Sequence, residues 1–108
     1  MNPQVQINTE FERAEQARAR GNEGRARVCA RRAAGIATRE YFARRGKTIR
    51  TPSAYDLLNL LIEDSLLADD LRQLAAHLTL RVDEEFKLPM DVDLIAEARM
   101  LCKGLMNG

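Results

Sequence analysis

Tryptophan is absent from this chain, aromatic residues make up only 5% of it, and His77 is its single histidine. A core with so few rings must be aliphatic, built from Leu, Ala, Val and Ile, and abundant Ala lets helices approach closely. Proline occurs three times and glycine six times, mostly where breaks between helices are wanted. No apolar run approaches the ~18 residues needed to cross a bilayer. The opening segment, MNPQVQINTEFER, lacks the basic and apolar regions of a secretory leader, so a cytoplasmic protein is expected. Cysteine is equally scarce. Cys29 and Cys102 stand alone with no C-x-x-C and no neighbouring His, which argues against zinc and for two buried thiols in a reducing compartment. A glycine-rich phosphate loop, a Ser or Cys nucleophile at usable spacing from His77, and a His–carboxylate metal cluster are all missing. Neither a metal nor a cofactor is expected.

What is present points to helices. With 108 residues, 45% hydrophobic and 31% charged, the chain is one globular domain, 1–108. The first helix is expected to start between Pro3 and Thr9 and to run to Arg20, with a stripe at Phe11, Ala14 and Ala17. Gly21-Asn22 should end it and cap the next. The second, Glu23 to Arg45, has small and apolar residues at Ala26, Cys29, Ala30, Ala33, Ile36 and Ala37, with arginines on its other positions. Gly35 lies within it, at a cost of about 1 kcal/mol relative to Ala, which signals either close packing or a tolerated defect. Gly46 closes it. Ser53 and Asp56 form a capping pair for a short, strongly apolar helix, AYDLLNLLIED. A long helix from Asp69 to Phe86, capped by Ser65 or Asp69, carries Leu71, Leu74, Ala75, Leu78, Val82 and Phe86 on its core side. Pro89 follows it, and Asp91 caps a final helix with Leu94, Ile95, Ala98, Leu101, Cys102 and Leu105 in its stripe. No segment alternates with period two. The expected fold is all-α: an antiparallel up-and-down four-helix bundle with one additional short helix.

Charge is divided unevenly. Residues 1–50 hold 12 Lys or Arg against 5 Asp or Glu, and residues 51–108 hold 5 against 11. Either the halves pair across helices, or a basic face is left to attract phosphate. Arg72 and His77, in Arg-x-x-x-x-His, point about 140° apart on an ideal helix with about 7.5 Å of rise between them. Imidazole titrates near neutrality and a guanidinium stabilises phosphorane charge, so the pair suits metal-independent RNA cleavage. Equally, Arg72 can pair with Asp69 one turn earlier, and His77 can be a half-buried residue bonded to a neighbour. Arg39 and Arg32 on the basic helix are candidate phosphate contacts.

Four stretches together resemble the HEPN domains, small prokaryotic helical bundles often found beside nucleotidyltransferases. ARVCARRAAGIATREYFARRG is similar to that family's second helix and SAYDLLNLL to its short third helix. Arg72 to His77 falls at its Arg-x-x-x-x-His motif, and DVDLIAEARML is similar to its last helix. Gln73, Thr79 and Gly35 stand where active members usually carry a small polar residue, a tyrosine and an acid. The resemblance implies a homodimer with Arg72 and His77 in a shared cleft. It further implies either a nucleotide- or RNA-binding bundle acting as a metal-independent, toxin-type endoribonuclease, or a non-catalytic module partnering a nucleotidyltransferase in a toxin–antitoxin pair.

Overall fold

The computed structural model describes residues 2–81 and 87–107, and all regular structure among them is helical. Helix α1 spans Pro3–Ala19, α2 Glu23–Ala43, α3 Ala54–Ile62, α4 Asp69–Leu78 and α5 Leu94–Met106. Two of these are long, at 17 and 21 residues, and three are short, at 9, 10 and 13. The expectation of four long helices and one short one is corrected accordingly.

Local chemistry sets most of the ends. The Asn2 side chain accepts from the Gln4 N–H at 2.7 Å, and Pro3 occupies the first helical position, where its missing N–H costs nothing. At the other end Gly21 takes φ 77°, the Gly21 N–H bonds Arg18 O at 3.0 Å and the Asn22 N–H bonds Ala17 O at 2.8 Å. This paired stop satisfies the last carbonyls and folds α2 back against α1 through a short connection. The Asn22 side chain then accepts from the Arg25 N–H to start α2. Ser53 caps α3 by accepting from the Asp56 N–H at 3.3 Å.

Two expected caps are replaced. Ala68, not Ser65 or Asp69, precedes α4, and no side chain caps that helix. Asp93, not Asp91, caps α5, because its Oδ1 reaches the Ile95 and Ala96 N–H groups while Asp91 lies two residues too early in an exposed turn.

The largest correction concerns α4, which stops at Leu78. Beyond it the backbone tightens: Thr79 N–H bonds Ala76 O and Leu80 N–H bonds His77 O, both at 3.1 Å, while Thr79 Oγ1 donates to Ala76 O at 2.7 Å. The Leu78 and Leu80 carbonyls turn instead to Arg31 of α2. Residues 82–86, into which the helix was expected to run with Val82 and Phe86 on its core side, lie outside the described residues.

Helix α2 is central, packing on α1, α3 and α5, while α4 rests on α3 and α5. Its buried stripe is nearly all small: Ala26, Cys29, Ala30, Ala33, Ala34 and Ala37 are fully covered. The large core residues come from its neighbours, chiefly Ile7, Leu57, Leu58, Leu61, Leu78, Leu94, Leu101 and Leu105. Gly35 marks the closest approach of α2 and α3, since a Cβ there would lie 3.3 Å from the Ala54 Cβ and 3.4 Å from the Ala54 Cα. Of its two expected explanations, close packing is the one observed. Tyr41 donates its hydroxyl to Asp64 at 2.9 Å and so fastens the α3–α4 connection to α2.

Candidate functional site

Arg32 and Arg39 are seven residues apart on α2, about two helical turns, so they stand on one face with about 10.5 Å of rise between them. Both are exposed and both line a groove of about 470 Å³ bounded by α1, α2 and α3. That size is in the range of small-ligand sites. Val28, Ile36 and Leu57 supply apolar wall, and Glu10 is the one acid on the lining. Arg39 donates to Thr51 O at 2.6 Å, its one hydrogen bond among the described residues. Arg32 has no hydrogen-bond or ion-pair partner among the described residues. Glu10 is only 6% exposed, and its Oε1 accepts from Arg13 at 2.9 Å.

The decisive member of the groove is Arg31, which the sequence reading left among the generic basic positions. It is 9% exposed. Its Nε donates to Leu78 O and its Nη2 to Leu80 O, each at 2.8 Å, and no carboxylate pairs with it among the described residues. Burial pulls its pKa below the ordinary guanidinium value, and the positive charges of Arg27 and Arg81 pull the same way. Its guanidinium carbon lies 5.3 Å from the Tyr55 ring centre, with that of Arg81 at 4.4 Å from the same ring. A buried guanidinium thus sits on the groove wall, held by two carbonyl dipoles and with no carboxylate against it among the described residues. A weak signal for it existed in the sequence: Arg31, Ala34, Thr38 and Tyr41 follow one another at helical spacing, and all four are buried.

Arg72 and His77 lie elsewhere. Neither lines this groove, and no contact joins them among the described residues. Arg72 Nη2 donates to Asp69 one turn earlier, while its Nε is buried without a hydrogen-bond partner. His77 Nδ1 lies 2.9 Å from Oε1 of Glu97 on α5, and both side chains are largely covered. With Glu97 as acceptor, the imidazole carries a proton on Nδ1. Glu97 was not anticipated, because a partner 20 residues away on another helix leaves no local trace. Arg31 connects the two regions: the carbonyls it holds belong to Leu78 and Leu80, immediately after His77.

Elsewhere, Arg18 holds both Glu23, at 2.7 Å, and the cap residue Asp93, at 3.0 Å, joining α1, α2 and α5. Among the described residues Arg25 and Arg32 have no such partner, so the cross-helix pairing seen there leaves much of the α2 charge uncancelled. Both cysteines are buried and unpaired, and burial pushes the Cys102 thiol up to about 12. Among the described residues no cluster of His, Cys, Asp and Glu is placed to hold a metal ion. No helix among them is long and apolar enough to cross a membrane. No known protein family, curated protein or solved structure matches the chain.

Proposed function

We propose that this protein binds a nucleotide or RNA through its phosphates, in the groove that α1, α2 and α3 enclose. The observation that carries the reading is the buried Arg31, which no carboxylate pairs with among the described residues, beside Arg32 and Arg39. A buried cation held by carbonyls is costly, and an anionic ligand in the groove would bring opposite charge to it. The planar forks of Arg32 and Arg39 fit phosphate oxygens in two-point contact, while Val28 and Ile36 offer apolar surface to a sugar or base. An antiparallel bundle of HEPN type agrees with this ligand class.

The test is fluorescence polarisation with labelled RNA across a salt series. If two or three phosphates are neutralised, log K falls against log salt with a slope of about −1.4 to −2.1 for a single strand. Arg32→Ala and Arg39→Ala should each weaken binding and reduce that slope. Salt-insensitive binding, or binding that survives both substitutions unchanged, refutes the assignment.

The His77–Glu97 contact favours a second reading, metal-independent RNA cleavage. In it, His77 Nε2 takes the proton of a 2′-hydroxyl as the oxygen attacks phosphorus, and Arg72 stabilises the charge that develops. The P–O5′ bond breaks, with the leaving oxygen taking a proton from water, to give a 2′,3′-cyclic phosphate. This requires Arg72 to leave Asp69 for the phosphate and a homodimer to close a cleft around the pair. Cleavage by the wild type in chelator, abolished in His77→Ala, is the expected result. Intact RNA with both proteins refutes cleavage and leaves a non-catalytic binding module, such as the partner of a nucleotidyltransferase. Light scattering that finds only monomer at high concentration removes the shared cleft.

A further inference from the structure

The groove is not the only concave basic surface on this side of the bundle. A second hollow of about 450 Å³ lies at the α1–α2 turn, and Arg13, Gln16, Arg20, Asn22 and Arg25 are among its lining residues, with no acid. Between it and the groove runs a third hollow, which shares Arg13 with the turn and shares Glu10 and Ile36 with the groove. The three hollows therefore adjoin along α1 and α2, and together they are called the channel. Arg25, Arg32 and Arg39 stand at i, i+7 and i+14 on α2. Each step of seven falls only about 20° short of two full turns, so the three line up over about 21 Å. All three are exposed, and none has a carboxylate partner among the described residues. Glu10, the one acid on the channel, is held by Arg13 at 2.9 Å and nearly buried, so its charge is cancelled locally. Val28, 38% exposed, lies between Arg25 and Arg32, and Ile36 between Arg32 and Arg39, so apolar surface alternates with charge.

We infer that this channel is a track for one strand of nucleic acid, several nucleotides long, with the groove at one end and the α1–α2 turn at the other. The inference rests on the phosphate-binding reading of the groove and extends it from a single phosphate site to a polymer. A lone nucleotide cannot reach both ends of a track about 21 Å long, whereas a strand places a phosphate near each arginine in turn. A single strand can also lay sugars and bases against Val28 and Ile36. A duplex keeps its bases stacked inside and presents mainly phosphates, leaving those apolar positions uncovered.

The experiment compares oligouridylates of one, three, six and nine nucleotides, a matched RNA duplex and inorganic polyphosphate. Each is measured with wild type, Arg25→Ala at the turn, Arg32→Ala in the groove, and Lys103→Ala on α5 as a control of equal charge change. Affinity should climb with length and level off once the track is filled. Arg25→Ala should weaken the nine-nucleotide strand several-fold and reduce the salt slope by about 0.7 while leaving the single nucleotide unaffected. Arg32→Ala should weaken all lengths, and Lys103→Ala none. Length-independent affinity together with an unchanged Arg25→Ala variant overturns the track and leaves the groove intact. No binding at any length removes the groove reading and the track with it. Duplex or polyphosphate bound as tightly as the single strand overturns the choice of ligand.

Discussion

Replacing Arg31 tests both the fold and the site. Its two hydrogen bonds, each 2.8 Å long, satisfy the Leu78 and Leu80 carbonyls at the point where α4 ends. A hydrogen bond from a charged donor contributes about 1.5–3 kcal/mol, so the gross loss on Arg31→Met is about 3–6 kcal/mol. Against this, methionine removes the cost of burying a charge, which amounts to several kcal/mol per ion. Met also keeps most of the side-chain volume, and Leu80 is partly exposed, so water can replace one of the two bonds. A net destabilisation of about 2 kcal/mol is the expected balance. At about 4–8 °C per kcal/mol for a domain of this size, Tm should fall by roughly 8–16 °C. Urea and thermal denaturation followed by far-ultraviolet circular dichroism measure it directly. Arg31→Lys separates charge from shape, because an ammonium keeps the charge but lacks the planar fork that reaches both carbonyls. It should be no more stable than Arg31→Met, since it keeps the cost of burying the charge and loses one of the two bonds. An Arg31→Met protein as stable as wild type would refute the reasoning, since the buried guanidinium would then hold nothing that its removal costs.

Three further outcomes follow from other contacts. Arg18 holds the Glu23 and Asp93 carboxyls below their ordinary values of 4.5 and 3.8. These depressed carboxylates contribute stability at neutral pH that disappears as pH falls through their folded-state values. Arg18→Ala should therefore cost no more than about 1 kcal/mol at pH 7, because the pairs are partly exposed. The gap from wild type should narrow in urea titrations as pH falls below 3.8 and through the folded-state values, and a gap that stays constant down that range contradicts the pairing. Gly35→Ala should gain about 1 kcal/mol of helix propensity but lose more from the 3.3 Å approach to Ala54. Ala54→Gly in the same chain should recover part of the loss, and additive effects would show that the two sites do not touch. Leu58→Ala, at a fully buried position, should cost about 2–5 kcal/mol in chemical denaturation, and a smaller effect would place Leu58 outside the core.

The α1–α2 connection was readable because everything it needs is local. Gly21 permits the positive φ, and Asn22 accepts from a backbone N–H three residues ahead. The stripes of α2, α3 and α5 were readable from spacing alone, and so was the common face of Arg32 and Arg39. The pairing of Arg72 with Asp69 follows from helical geometry. By contrast, the apolar pattern that carried a helix on to Phe86 contained nothing to mark its stop at Leu78. Nor did local spacing reveal that the cap of α5 would move from Asp91 to Asp93, where Arg18 joins it.

The sequence by itself determined that this chain is helical, where most of its helices begin, which faces they bury, and that α2 carries a surplus of positive charge. Those properties depend on residues a few positions apart, whose relations are set by backbone geometry. Only the tertiary structure decided that α4 stops short, that Arg31 lies buried against that stop, and that His77 meets Glu97. Each depends on groups 20 to 49 residues apart in sequence, and packing alone brings such groups within hydrogen-bonding distance.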